Sequence, residues 1–538
     1  MTNYPILKLF IRKIAVMWAF LCQTSVRKVN DRTNYDLQSH PRRWLILAIL
    51  TLSLVMVVAS VSSLNLAIPS IQKALDASAS ELVWINAAYA LVFAALLLPG
   101  GAIGDRFGRR GALQIGLIIF IIGALLGATS SDPFQLIFFR ASMGVGAALV
   151  MPATLSIISV IFPVEERSKA IAIWSGFAGA GAAIGIIAAG LLLEKFWWGS
   201  IFFINVPTAG IALLLVAFFV PTSRDSHINP LDLPGSFLSA LGLTSLVYGL
   251  IQGPEFGWTD PVVIWAFIVS IVVLVGWVFV ELNRKYPMLD PRLFRIRRFG
   301  MGSFAILIPF AVMFGFFFGL AQYLQYVQMH SPLGAAVRSL PFALTMLIAA
   351  PRGPAVSRLI GEKGCLSLGL LFAASGCFVL AFLEATSSYL QIALSLVLTA
   401  LGMAITFPTA TAAIINCLPT DKAGVASAVN DTTREVGAAV GIAFLGSLLS
   451  AGYRNSLGDS FASMPADVNE IAKNSVGAAL QVAEQFSVES GQVLAQEAKA
   501  AFTNGFSLSM SVGAGMLLVA SIIVFFRYPN TEKNHSAN

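Results

Sequence analysis

Three ionisable residues share the stretch Ala426-Ser-Ala-Val-Asn430-Asp431-Thr-Thr-Arg434-Glu435-Val-Gly437, inside an otherwise apolar run. On a helix, Asp431 and Glu435 are four apart and face the same way, with Arg434 within about 100° of that face. Burial favours the neutral carboxyl, and a nearby arginine favours the charged one. A carboxyl in this setting exchanges a proton when its arginine moves, which is what a membrane proton carrier requires. Two acids against one base leave one carboxyl over. The other arrangement open to these residues is a self-compensated structural cluster. Arg140, in Phe138-Phe-Arg140-Ala-Ser-Met-Gly144, is a further charge inside an apolar run. An arginine stays protonated. It cannot carry the proton, but it can bias a partner as it approaches and withdraws, or it can snorkel at the end of its span.

A second constellation is Gly101-Ala-Ile-Gly-Asp105-Arg106-Phe-Gly108-Arg109-Arg110. Asp105 is expected near the N-terminus of the following helix, where the dipole favours a carboxylate. Arg106, Arg109 and Arg110 can pair with it or with carbonyls at helix C-termini. Gly101 and Gly108 allow close approach and a tight turn. Such a loop can be a latch between two states or a plain basic topology loop. A third set is amphipathic: Asn65, Trp84, Tyr89, Gln322, Tyr323, Gln325 and Tyr326. Together they would give a cavity aromatic faces suited to hydrophobic or cationic compounds; singly, each is ordinary packing material. The 39 Phe are read as mostly facing lipid.

The elements that hold these residues must be membrane helices. Of the 538 residues, 57% are hydrophobic and 11% charged, against about 25% charged in an ordinary soluble domain. Mean hydropathy is +0.80. This excludes a soluble enzyme, a disordered chain and a nucleic-acid binder. Four Cys make no disulfide framework. A spanning helix needs about 20 apolar residues, and about fourteen such runs occur, including 44–68, 424–449 and 504–526. With the N-terminus in the cytoplasm, inside segments hold 26 Lys and Arg and outside segments 6. That bias supports the span count, the direction and a cytoplasmic place for both termini.

The resulting organisation is a basic N-terminal segment (1–43), a six-helix bundle (44–221), two further spans with a basic linker (222–298) and a second six-helix bundle (299–526). An outside loop at 452–503 carries two short amphipathic helices, and 527–538 form a cytoplasmic tail. Residues 5–22 read as an interfacial basic helix or an upstream start. Ala102–Leu113 aligns with Ala355–Leu366 at a constant offset of 253 residues. Internal repeats of this kind put a substrate path between the repeats of secondary transporters.

No Gly-x-x-x-x-Gly-Lys-Ser/Thr, His-Glu-x-x-His, Cys-x-x-Cys or Gly-x-Ser-x-Gly occurs. No catalytic residue, metal site or cofactor is therefore expected, and uphill transport would draw on an ion gradient. Gly176, Gly181, Gly185 and Gly190 read as helix-packing positions.

The 101–110 loop resembles the cytoplasmic signature of the major facilitator superfamily. More of the chain is similar to that superfamily's fourteen-span drug/proton antiporter group. The similar segments are Trp84-Ile-Asn-Ala-Ala-Tyr89, Ile201-Phe-Phe-Ile-Asn205-Val-Pro207, Ser331-Pro332 with Leu340-Pro341, and above all the 426–437 stretch. Ser60 stands where the group often has an acidic residue. Gly185-Ile186 stands where its antiporter motif has Gly-Pro. The resemblance implies an all-α fold of two six-helix bundles plus two additional helices. It implies proton-coupled export of drugs or amphipathic cations from the cell (inner) membrane, with Arg140 linked to the coupling and no cofactor beyond the proton gradient. Its partners would be the drugs, protons and the lipid bilayer, and no nucleic acid; a periplasmic partner is left open. The rival readings are a specific metabolite, siderophore or lipid-precursor exporter on the same fold, and a non-transporting sensor or scaffold.

Overall fold

The computed structural model describes residues 40–77, 79–223, 232–419, 422–457, 465, 468–469, 472–473 and 475–529. Every regular element among them is a helix. The long ones are α1 (Arg43–Leu75), α2 (Ala79–Phe107), α3 (Arg109–Ala128), α4 (Pro133–Ile161) and α5 (Val164–Leu193). They continue with α6 (Asn205–Phe219), α7 (Leu233–Phe256), α8 (Pro261–Asn283), α9 (Arg297–Gln322) and α10 (Leu340–Ala349). The last four are α11 (Gly353–Leu380), α12 (Tyr389–Ile415), α13 (Ala423–Ser456) and α14 (Val488–Arg527). Short helices Ser200–Phe203, Pro332–Arg338 and Val476–Ala483 lie before α6, before α10 and before α14.

Thirteen described helical segments are long and apolar enough to cross a membrane. One of them, Pro332–Leu380, has 49 residues, about 74 Å of helix against a hydrocarbon core of about 30 Å. It holds two crossings, because the chain leaves helical geometry at Gly361 (φ 76°, ψ 161°). Gly108, between α2 and α3, also has a positive φ of 113°. Both torsions suit glycine alone, and both glycines occupy the same place in the repeat. Many of the side chains on α8, such as Val262, Trp265, Ile271 and Phe279, point outward, as expected of a helix solvated by lipid.

The span ends differ from the hydropathy reading where a helix outruns the bilayer. α1 continues to Leu75, α13 to Ser456, and α14 begins at Val488. One of the two expected loop helices is Val476–Ala483, capped where Ser475 Oγ accepts from the Ala478 N–H at 3.1 Å. The other is the first turns of α14. The basic segment expected at 5–22 lies outside the described residues.

Two buried apolar clusters form the interior. One is built from α1–α6, with Ala412, Ile415 and Ala426 reaching in. The other is built from α9–α14, with Leu98 of α2, Leu243 of α7 and Trp277 of α8 joining it. α7 packs on α8, α2 and α13.

The α5 glycines divide between two neighbours. A Cβ on Gly185 would stand 2.6 Å from Ala59 Cα, and one on Gly181 would stand 3.1 Å from Val58 Cβ, so this pair seats α5 on α1. Gly176 and Gly190 face the other way, toward Ala350 and Leu333. Gly185→Val should destabilise the purified protein by about 1–3 kcal/mol or more, since backbone must move to admit the side chain. Gly111→Ala, with nothing within 4 Å of the added carbon, should leave its melting temperature unchanged or slightly raised.

Candidate functional site

The ionisable cluster of α13 lies about two to three turns from the helix start at Ala423. Gly437 and Gly441 let α9 approach there: a Cβ on Gly437 would stand 2.7 Å from Leu307 O. Asp431 is fully buried. Its Oδ1 accepts from Asn430 Nδ2 at 3.0 Å, and Thr411 Oγ1 of α12 donates to Asn430 Oδ1 at 2.9 Å. Arg434 Nη1 is 3.7 Å from Asp431 Oδ1. That is well beyond the about 2.7–2.9 Å of a charge-assisted hydrogen bond, so the pair is not locked. Asp431 Oδ2 is buried with no hydrogen-bond partner. Glu435 is half-buried one turn further on, within electrostatic reach of Tyr89 on α2.

Arg140 does not snorkel; it is fully buried. Its Nε donates to Ile85 O at 3.2 Å, and its guanidinium carbon stands 4.5 Å from the Tyr89 ring centroid. Nη1 and Nη2 find no hydrogen-bond partner. Tyr89 O–H donates to Val57 O at 3.4 Å, which holds the ring against Arg140 and within electrostatic reach of Glu435. The arrangement puts a permanent cation, a polarisable ring and a spare carboxyl in series, the first two from the α1–α6 cluster and the last from α13. A small shift of one cluster against the other changes how well each carboxyl is neutralised.

The 101–110 loop is built around Asp105. Its Oδ1 accepts from Arg109 Nε at 2.9 Å and from the Gly424 N–H at 2.9 Å. Its Oδ2 accepts from the Val425 N–H at 3.0 Å. The expected helix N-terminus is therefore that of α13, not of the following α3. Gly101 makes this contact fit, since a Cβ there would stand 2.6 Å from Gly424 O and 2.7 Å from Ala428 Cβ. Arg110 Nη2 donates to Ala217 O near the C-terminus of α6 at 2.5 Å, the carbonyl pairing the sequence suggested. The Arg106 guanidinium carbon lies 5.4 Å from the Phe107 ring.

The amphipathic set does not converge. Trp84 is half-buried, 5.8 Å from the Tyr248 ring of α7. Tyr323 is buried, and its O–H donates to Glu384 O at 2.6 Å. Gln322 Nε2 donates back to Phe318 O at 3.3 Å. Gln325 is half-buried and Tyr326 exposed, and a Cβ on Gly477 would stand 3.3 Å from the Tyr326 ring. Residues 322–326 thus lead into a π-helical turn, Tyr323–Val327, beneath the short Val476–Ala483 helix, away from Tyr89 and Arg140. Of Asn65 only the backbone, within α1, is described.

The buried aromatics near α13 were not singled out from sequence. Trp174 of α5 is fully buried, and Phe310 and Phe407 are nearly so; none of the three faces lipid. A lone Trp among the glycines of α5, and a Phe directly after Pro309 in α9, were the available signals.

Among the described residues, no three His, Cys, Asp or Glu side chains converge as metal ligands do. Around Asp431, Arg434 and Arg140 stand charge, aromatic faces and an unpartnered carboxyl oxygen.

The chain resembles known proteins in sequence and in fold. The chain is 33% identical over 486 residues to the multidrug efflux pump LfrA of Mycolicibacterium smegmatis, covering 90% of this chain and 96% of that one. It is 32% identical over 501 residues to the methyl viologen resistance protein SmvA of Salmonella typhimurium, covering 91% and 99%. The proton:xylose symporter XylE has a similar fold, with a TM-score of 0.59 at 15% identity over 91% of this chain and 97% of that one. The human organic anion transporter MFSD10 superposes with the same TM-score at 14% identity, over 90% and 100%. The family model of the Major Facilitator Superfamily matches residues 50–442. This chain is a multi-pass membrane protein that belongs to the major facilitator superfamily.

Proposed function

We propose that the protein is a proton-coupled multidrug efflux transporter that exports hydrophobic or cationic compounds by alternating access. The names of its relatives, an efflux pump and a methyl viologen resistance protein, support export of drugs. The observation that carries proton coupling is the Asp431 carboxyl, fully buried with one oxygen unpartnered and its arginine at 3.7 Å. A buried carboxylate in that state gains more from a proton than a solvated one does. Glu435, one turn along and within electrostatic reach of Tyr89, offers the second acceptor.

In this reading α1–α6 (44–221) and α9–α14 (299–526) are the two moving bundles, and α7, α8 and the basic linker (222–298) are the insertion. Loop 104–111 and both termini face the cytoplasm, and the membrane is the cell's inner one. The Asp105 contact with α13 holds the cytoplasmic end shut. Opening that end separates Asp105 from Gly424 and Val425 and changes the distance between Arg140 and the α13 acids. Protons enter from outside, neutralise a carboxyl, and leave on the cytoplasmic side as cargo goes out. The cargo path runs past Trp84 and Tyr89, and the energy comes from the proton gradient with no cofactor.

Inverted vesicles loaded with this protein test the reading. Ethidium uptake should follow an imposed pH gradient, acidic inside, and stop when the gradient is dissipated. Uptake that ignores the gradient would contradict proton coupling, and no uptake of any dye would contradict drug export.

A further inference from the structure

The geometry points to a seat for the cationic group of cargo between Trp174 and Phe310, a seat that Arg434 now fills as a built-in stand-in. This rests on the reading that the protein exports cationic compounds, and it adds where such a cation binds.

The Arg434 guanidinium carbon lies 5.3 Å from the Trp174 ring centroid and 4.6 Å from that of Phe310. Both are inside the about 6 Å at which a cation is held by an aromatic face. The rings come from different clusters, Trp174 from α5 and Phe310 from α9. The slot therefore exists only where the two clusters meet. Trp174 Nε1 donates to Thr154 Oγ1 at 3.2 Å, which sets the plane of the indole. Phe407 stands 4.4 Å from Phe310, centroid to centroid, and extends the apolar floor.

A packed slot of this kind has two needs when it holds a cation, a π face and a counter-charge. The π faces are the two rings. The counter-charge is Asp431, fully buried, with Oδ2 left without a partner. Arg434 satisfies the rings well and the carboxylate poorly, at 3.7 Å. A lipophilic cation that displaces it gains both rings and can approach Oδ2. A guanidinium is weakly hydrated and charged throughout, so it keeps water out of the slot between transport cycles without neutralising it.

The test is binding to the purified full-length protein in detergent at alkaline pH, with no gradient. Tetraphenylphosphonium is the cationic probe, and triphenylphosphine oxide the neutral probe of similar aromatic content. Trp174→Leu and Phe310→Leu should each weaken tetraphenylphosphonium binding about tenfold, the effect of losing one desolvated cation–π contact. Neutral-probe affinity should change less than about twofold on the same ground, and Trp174→Phe should restore most of the cation affinity. Arg434→Gln should tighten the cation by removing the competitor. Equal weakening of both probes by the Leu variants, or unchanged or weaker cation binding in Arg434→Gln, overturns the proposal. Should a Leu variant fail to fold, the Trp174→Phe and Arg434→Gln arms decide. Because no gradient is present, these results stand or fall separately from proton-driven export in vesicles.

Discussion

With Asp431 and Glu435 changed together to Asn and Gln, pH-gradient-driven efflux is expected to fall about 100-fold or more. That is the order of loss seen when an essential proton-transfer group is removed. Cargo-for-cargo exchange, which needs no proton, should persist. The amides keep the shape of the site, and Asn430 can still bond the residue at 431. Removing one member of a buried ion pair costs about 3–5 kcal/mol when the partner is stranded. Here the cost should lie below that range, because Arg434 is also held by Trp174 and Phe310 and its carboxylate is already 3.7 Å away. Single substitutions should show which acid dominates. Asp431→Asn is expected to do more harm, since Asp431 is the fully buried one with the unpartnered oxygen. Transport assays paired with membrane-fraction quantification separate coupling from folding. Normal gradient-driven efflux by the double variant would make the cluster a structural one.

Asp105→Asn is expected to leave the protein in the membrane and shift it away from the state described here. Two interactions are weakened, because the amide keeps one acceptor oxygen but loses the charge and the second acceptor, and they act differently. The pairing with Arg109, at 2.8 Å, joins the end of α2 to the start of α3 within one bundle, so its loss lowers overall stability. The cap on Gly424 and Val425 joins α2 to α13 and exists only while this end is closed. Asn and Asp cap a helix about equally, so what is lost is the carboxylate's attraction to the α13 N-terminus, about 0.5–2 kcal/mol in a buried setting. The closed state should therefore lose between a few-fold and about thirtyfold in population at about 1.4 kcal/mol per tenfold. A cysteine on α2 near Gly101 should become more reactive toward a cytoplasmic thiol reagent, and turnover should fall. Unchanged reactivity and turnover would reduce the motif to a topology signal.

Much of this was legible in the sequence. Hydropathy and the Lys and Arg bias locate the spans, and the 253-residue offset anticipates that Gly108 and Gly361 make the same backbone turn. The glycines of α5 read as packing positions, but nothing in their spacing said that Gly181 and Gly185 face α1 while Gly176 faces Ala350 and Gly190 faces Leu333. Asp105 was legible as a helix-terminus carboxylate. Its true partner lies 319 residues away, beyond any local rule. The aromatic set failed for a related reason. Tyr323 and Tyr326 have the right composition for a cavity, yet the turn at 323–327 sends them beneath the Val476–Ala483 helix. Phe310 and Phe407 look like lipid-facing residues because hydropathy cannot tell the inside of a bundle from its outside in a bilayer. Arg140 was ambiguous until its burial and the Tyr89 ring removed the snorkelling alternative.

The most direct test uses proteoliposomes that contain only this protein and an entrapped pH dye. Adding ethidium outside should evoke a proton flux opposite to the cargo movement, with the wild-type protein alone, and no such flux with the Asp431→Asn, Glu435→Gln double variant. Ethidium movement with no accompanying proton flux, or an undiminished flux in the double variant, would contradict proton exchange at α13.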